Sequence, residues 1–263
     1  MKHKLALVTP LKNERNSLLR LIDSIEKQTI RIFLWVIVEN DSDDGSRECL
    51  SKIKKLKNVE NFIVMNLECE NKDYQLGVKY SSIVKHGIDY IQNDREYGSL
   101  NYIGILDADC FPEPEYYEKL VKFMENDKKV GISSGILRLE NSDVSSFCNK
   151  NHVRGSGRLW KKACLDECGY QVGYSADSIS RIKAELNEWK VIPYNKIYFI
   201  SREANSRVSL EYAGESHYYN GVPLYTAIIK YLYYLFVKPK NSMSYIKGYW
   251  KSFILKKPKN SDV

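Results

Sequence analysis

The feature that most narrows what this chain can fold into is an alternation. From the first residues onward, short apolar runs that read as strands are separated by segments of helical periodicity, an order that builds a mostly parallel sheet covered by helices. Leu5-Ala-Leu-Val8 closes at Thr9-Pro10, and Ser17 precedes Leu18, Leu21, Ile22 and Ile25 at helical spacing. Further strands are expected over 33–38, 62–67, 102–106 and 130–139, with helices over 47–56, 76–91, 112–124 and 178–189. Between them, 141–173 loosens into turns around Arg158-Leu-Trp-Lys-Lys, a short strand is expected over 190–193, and 194–221 reads as an irregular polar loop region.

In an open parallel sheet, ligands collect at the carboxyl ends of the strands, where successive loops converge. Three loops there carry acids: Asn13-Glu14 after the first strand, Glu39 to Asp44 after the second, and Asp107-Ala-Asp109 after the fourth. An Asp-x-Asp at a strand end offers two carboxylates to one hard cation, Mn²⁺ or Mg²⁺, which completes its shell with water and phosphate oxygens. Such a pair reads as a clamp for a diphosphate.

Composition sharpens the division of the chain. Its 263 residues hold 40 Lys and Arg against 33 Asp and Glu, a net charge of +7. Residues 222–263 contain eight lysines and a single acid, Asp262, and so account for the whole excess. The remainder is formally neutral, which argues against a general nucleic-acid binder and for a neutral catalytic domain with a basic tail. We therefore expect a catalytic domain over 1–221, divided into a nucleotide-binding half (1–110) and an acceptor-side half (111–221), followed by a helical tail over 222–263.

Within the tail, 223–237 is apolar nearly all round, whereas 243–257 sets Ile246, Tyr249, Trp250, Phe253 and Ile254 at helical spacing beside lysines. A lysine-edged aromatic face suits the interface of an anionic membrane. The six scattered cysteines read as reduced thiols, no signal peptide is visible, and no apolar run is long enough to span a bilayer. A cytoplasmic protein, peripheral at the membrane, is the expectation.

Five motifs in order give a more specific likeness. Leu7-Val-Thr-Pro-Leu-Lys-Asn-Glu14, Val38-Glu-Asn-Asp-Ser-Asp-Asp-Gly-Ser46, Leu106-Asp-Ala-Asp109, the segment from Gly157 through Arg158, Trp160 and Gly169, and Ala176-Asp177 followed by Arg181 together resemble a family 2 glycosyltransferase of the GT-A fold. The resemblance implies a Rossmann-like sheet and transfer of a sugar from a UDP- or GDP-sugar to a glycan or lipid-linked acceptor, with inversion. It implies that Thr9, Pro10, Glu14, Glu39 and Asp41 line the nucleoside pocket, and that Asp107 and Asp109 hold the diphosphate and its cation. Asp177 would be the base that deprotonates the acceptor, with Arg158, Trp160 and Arg181 on the acceptor side. Some enzymes of this fold take a third metal ligand from a C-terminal loop, which makes His217 a candidate.

The chemistry is consistent with that assignment. Sugar transfer builds negative charge on the departing diphosphate, which a cation offsets, while a carboxylate takes the acceptor proton. Arg202 and Arg207 could reach phosphate oxygens. An N-cap of a helix starting at Ser178 is the structural alternative for Asp177. A rival reading uses Gly131-Ile-Ser-Ser-Gly135, which matches a nucleophile elbow and would pair Ser133 with Asp177 and His217. That reading requires a helix after the turn, and Ile136 to Leu139 continues as strand. A catalytically silent module that binds a sugar nucleotide or a membrane is the third reading.

Overall fold

The computed structural model describes residues 3–53, 55–68, 76–140, 152–201, 209–237 and 239–260. It divides into two compact units: residues 1–172 with 176–202, and residues 173–175 with 203–263.

The first unit is organised by β1 (Leu5–Leu11), β2 (Ile32–Glu39), β3 (Val59–Asn66) and β4 (Tyr102–Ile105), parallel neighbours in the order β3-β2-β1-β4. Alternate side chains leave opposite faces of a strand. Leu5 and Leu7 enter one apolar cluster with Leu18, Leu21, Trp35 and Tyr102, while Ala6 and Val8 enter another with Val36, Val84, Ile103 and Ile105. Burial on both faces is why these strands read as unbroken apolar runs. The intervening helices α1 (Arg15–Glu26), α2 (Ser46–Ser51) and α3 (Leu76–Asn93) follow the expected alternation. α2 stops short of the expected end, because the chain turns at Lys52.

Beyond β4 the sheet becomes mixed. After β5 (Cys110–Pro112), α4 (Tyr116–Asn126), β6 (Val130–Ser133) and β7 (Ile136–Leu139) come β8 (Arg158–Lys161), α5 (Lys162–Cys168), α6 (Ala176–Leu186), β9 (Lys190–Val191) and β10 (Tyr198–Ser201). β8 lies antiparallel between β4 and β6, and β9 closes the edge parallel to β6. A second sheet has the order β5-β10-β7. The run expected as one strand over 130–139 is thus two strands in two sheets, parted at Ser134-Gly135.

Two stretches differ from the sequence reading. Within 141–173, β8 and α5 replace the expected turns; residues 141–151 lie outside the described residues. Within 194–221, expected to be irregular, β10 is the central strand of the second sheet and α7 (Leu210–Tyr219) is a helix whose Ser209 Oγ accepts the Tyr212 N–H at 3.1 Å.

The second unit holds α7, α8 (Leu224–Val237) and α9 (Pro239–Ile254). Pro239 stands at the first position of α9, where its missing N–H leaves nothing unsatisfied. α7 and α9 cross on paired glycines. A Cβ at Gly214 would stand 2.0 Å from the Tyr245 carbonyl oxygen, and one at Gly248 would stand 2.1 Å from that of Glu211. Tyr218, Ala227, Tyr245 and Tyr249 form the core, and Tyr249 Oη donates to the Val222 carbonyl at 2.7 Å. α7 packs with the tail helices and belongs to the same compact unit as they do.

The tail also distributes its apolar surface differently from the sequence reading. α9 turns Tyr245, Ile246 and Tyr249 into the core, although Trp250, Phe253 and Ile254 stay exposed. α8 buries only Ala227 and exposes Tyr225, Ile229, Leu232, Tyr233 and Phe236, the last at 86%. No helix among the described residues is long and apolar enough to cross a membrane. The cysteines described, Cys49, Cys110, Cys164 and Cys168, are free thiols; Cys69 and Cys148 lie outside the described residues.

Candidate active site at the carboxyl end of the sheet

The loops after β1 and β2 are laced together. The Asn13 N–H donates to Ser42 Oγ and Asn13 Oδ1 accepts the Asp43 N–H, both at 3.0 Å, while the Glu14 N–H donates to Ser46 Oγ at 3.0 Å. Glu39, the last residue of β2, is fully buried, and its charge is matched locally. Oε1 accepts the Ser42 N–H at 2.6 Å, and Oε2 accepts from Arg47 Nε at 2.9 Å and faces its Nη2 at 2.8 Å. A buried carboxylate needs such partners, and here they also hold the loop that carries Asp41. Asp41 is exposed, with φ +54°. Thr9 is fully buried and its Oγ1 accepts from Trp35 Nε1 at 3.0 Å. Pro10 is half-buried and Glu14 is buried, its Oε2 accepting from Ser17 Oγ at 2.8 Å.

After β4 come Asp107 and Asp109. Ligand atoms of Asp107, Asp109 and Cys110 lie within 4.8 Å of one another, the one such group found among the described residues. Tyr80 Oη, from α3, donates to Asp107 Oδ1 at 2.6 Å, and the Asp107 N–H donates to Ser156 Oγ at 2.9 Å. Burial raises the Asp107 carboxyl to about 7; the bond from Tyr80 opposes this, and the neighbouring charges of Asp109 and Asp177 add to it. Two close carboxylates raise each other's cost of ionisation, and a bound cation would relieve it. Cys110 is buried and its thiol is pushed well above its ordinary value by desolvation, so the hard donors of the set are the two aspartates. That donor chemistry fits Mg²⁺ or Mn²⁺.

Asp177 lies inside the first turn of α6, which opens at Ala176, so it does not cap from outside a helix beginning at Ser178. An acid there is favoured by the helix dipole. Its carboxylate Oδ1 stands 3.5 Å from Arg158 Nη1 and remains partly exposed. Arg158 is 2% exposed: Nη1 also donates to the Asp177 carbonyl at 3.3 Å, and Nε donates to the Arg154 carbonyl at 2.8 Å. Its Nε and Nη1 are thus both engaged by neighbouring groups of the chain. Trp160, expected on the acceptor side, is fully buried in the sheet core among Ile103, Ile132 and Cys164. It shares a face of β8 with Arg158, two residues before it, but lies deeper in the apolar layer between β4 and β6. Arg181 lies on the surface of α6, 3.6 Å from Glu185. Arg202 and Arg207 lie outside the described residues.

His217 belongs to the second unit. Nδ1 is 2.8 Å from Tyr245 Oη and Nε2 is 3.3 Å from Lys230 Nζ. Ser133 is fully buried, donates to the Ile192 carbonyl at 2.6 Å and is followed after Ser134-Gly135 by β7. A nucleophile elbow requires an exposed serine leading into a helix; the hydrolase reading falls on both points.

Sequence reasoning missed Tyr80, Ser156 and Tyr170. Tyr80 occupies the same stripe of α3 as Val84 and Ile88, an apolar face that ends in one hydroxyl, and that was the available signal. Tyr170 is buried within the fields of Asp177, Arg158 and Asp107, and its hydroxyl has no hydrogen-bond partner among the described residues.

The sequence profile described as Glycosyl transferase family 2 matches residues 6–188, a stretch that runs from the second residue of β1 past the end of α6 and contains every acid just described. The chain belongs to glycosyl transferase family 2. Among curated proteins it is 24% identical over 193 residues to "Probable glucomannan 4-beta-mannosyltransferase 10" of Arabidopsis thaliana, covering 62% of this chain and 33% of that one. The chain thus spans about a third of that relative's length. Among solved structures, S. aureus TarS 1–349 in complex with UDP-GlcNAc superposes with a TM-score of 0.59 at 15% identity, over 82% of this chain and 64% of that one. The mannosyltransferase PcManGT from Pyrobaculum calidifontis, in complex with GDP-Man and Mn²⁺, gives 0.59 at 14% identity over 97% and 76%. At these identities the structural likeness establishes the GT-A fold of this family 2 chain.

Proposed function

We propose that this family 2 chain is a glycosyltransferase that moves a sugar from a UDP- or GDP-sugar to an acceptor hydroxyl or phosphate by one direct displacement with inversion. The observation that carries this reading is the convergence of Asp107 and Asp177 on one short segment: Ser156 Oγ receives the Asp107 amide, and Arg158 two residues later meets Asp177. TarS and PcManGT were solved with UDP-GlcNAc and with GDP-Man and Mn²⁺ respectively, which supports a nucleotide-sugar donor and a cation for this chain.

Asp107 and Asp109 would hold Mn²⁺ or Mg²⁺, which when bound offsets negative charge on the diphosphate. The loops that carry Thr9, Pro10, Glu14, Glu39 and Asp41 would seat the nucleoside. Asp177 would take the acceptor proton as the acceptor oxygen bonds to the anomeric carbon and the bond from that carbon to the diphosphate breaks, the electron pair leaving with the nucleoside diphosphate. A single carboxylate base suits one displacement. Holding donor and acceptor in line removes much of the entropic barrier.

The acceptor in this reading is a glycan precursor linked to lipid, because the second unit has a surface suited to an anionic membrane. Exposed Tyr225, Ile229, Leu232 and Phe236 of α8 present apolar area, and exposed Lys230, Lys247, Lys251 and Lys256 present charge complementary to acidic headgroups.

A thermal-denaturation screen of UDP-GlcNAc, UDP-glucose, GDP-mannose and the free nucleotides, with and without Mn²⁺, tests the donor assignment. A ligand that binds only the folded chain raises the midpoint. At least one sugar nucleotide should do so in the presence of Mn²⁺; no shift with any of them would overturn the reading.

A further inference from the structure

A buried arginine needs its charge answered, and a search for what answers that of Arg158 leads to one carboxylate. The residue opens β8, opposite Ile105 of β4, and is among the largest fully buried side chains in the molecule. Two carbonyls, of Arg154 and Asp177, accept from it, but the negative charge nearest to it is Asp177 Oδ1 at 3.5 Å. A guanidinium by itself would be unfavourable beside the first turn of a helix, where the dipole is positive. The Asp177 side chain removes that conflict, and in return its own backbone carbonyl and its carboxylate are both fixed by one rigid planar group. The other side of the carboxylate is bounded by main chain: a Cβ on Gly155 would come within 2.2 Å of Asp177 Oδ2.

We infer that Arg158, with Gly155, is the positioning device of the base: it sets the direction of the Asp177 carboxylate toward the acceptor and itself touches no substrate. The segment Gly155-Ser156-Gly157-Arg158 then acts as a single ruler. Ser156 Oγ fixes the backbone of Asp107, and Gly155 and Arg158, one residue before and two after it, fix Asp177, so that the donor-side acids and the base are held by the same few residues. This inference rests on the base assignment made above for its catalytic consequence, but the coupling between Arg158 and Asp177 can be read without it.

The test is a double-mutant cycle with Arg158→Met, Asp177→Asn and the double variant, with Arg158→Lys and Gly155→Ala alongside. Donor turnover is followed with the sugar nucleotide that the screen identifies, and equilibrium urea denaturation is followed on the same proteins. Misplacing a reacting group by about 1 Å costs roughly 100-fold. Arg158→Met should therefore lower kcat by about that factor while leaving the donor KM within about twofold. Arg158→Lys should recover part of the loss, and the double variant should be no slower than Asp177→Asn. Gly155→Ala, which displaces the carboxylate without touching the arginine, should reproduce the kcat loss, and it decides the matter if Arg158→Met does not fold. Multiplicative losses in the double variant, or an unchanged kcat in both Arg158→Met and Gly155→Ala, overturn the inference. If Asp177→Asn turns over normally, the base assignment fails. The pairing is then judged from urea midpoints alone: non-additive midpoints sustain it and additive midpoints reject it.

Discussion

At the carboxyl end of the central sheet, acids are held in place by named partners. Glu39 meets Arg47 and the Ser42 amide, Asp107 meets Tyr80, and Asp177 meets Arg158. In the helical unit the conspicuous groups on the surface are apolar: Tyr225, Ile229, Leu232 and Phe236 stand on α8 in open solvent. In the function proposed above, the contrast separates two kinds of working surface. Where chemistry needs charges at fixed points, the fold supplies donors that orient each one. Where an extended surface is to be met, it supplies area and diffuse positive charge, and orientation of single atoms matters little.

The largest effect is expected in the sheet unit: Asp177→Asn keeps the shape of the side chain but removes the proton acceptor, and should lower kcat by roughly 10²- to 10⁴-fold at saturating donor. A turnover near wild type would remove Asp177 from the chemistry.

In the helical unit, replacing Ile229 and Phe236 together by Asp should weaken binding to vesicles of anionic phospholipid by about 100-fold, since two apolar side chains no longer enter the interface and two charges oppose the headgroups. Sedimentation with vesicles reads this directly, and donor turnover on a water-soluble acceptor should be unaffected. Equal binding by wild type and variant would assign α8 to another partner.

A smaller effect is expected at the helix crossing. Gly248→Ala places a methyl group 2.1 Å from the Glu211 carbonyl oxygen and should destabilise the helical unit by about 1–3 kcal/mol in urea denaturation, through overpacking. The smallest concerns pH. Burial first, and the charge of Lys230 second, lower the His217 pKa from 6.5 to about 4. The folded unit therefore favours the neutral ring, while the unfolded chain takes up a proton below about 6.5, so stability contributed here is present above that pH and is lost as pH falls toward 4. Thermal denaturation between those limits should show a steeper loss for wild type than for His217→Gln.

Much of the sheet and its acid-bearing loops was legible because periodicity and position coincide. The unbroken apolar run of β2 reports burial on both faces, and an acid at its end reports where the fold collects ligands. β8 was illegible for a physical reason: Arg158-Leu-Trp-Lys161 carries a cation at each end, and the carboxylate that meets Arg158 among the described residues, Asp177, comes later in the chain on another element. α7 was missed because Gly214 interrupts it and its aromatic residues surround the helix; the glycine makes sense only against the α9 backbone. The burial of Trp160 was not legible because it depends on β8 pairing between β4 and β6, strands distant in sequence.

In the proposed function, Asp107 and Asp109 bind the donor's diphosphate through a cation. Isothermal titration of the sugar nucleotide found in the screen into wild type and Asp109→Asn, each with Mn²⁺ and with chelator, tests it most directly. Donor binding by wild type should require Mn²⁺ and should be lost, or weakened by about 100-fold, in the variant, because one of the two hard donors is gone. Donor binding of undiminished affinity by Asp109→Asn in Mn²⁺, or by wild type in chelator, would contradict it.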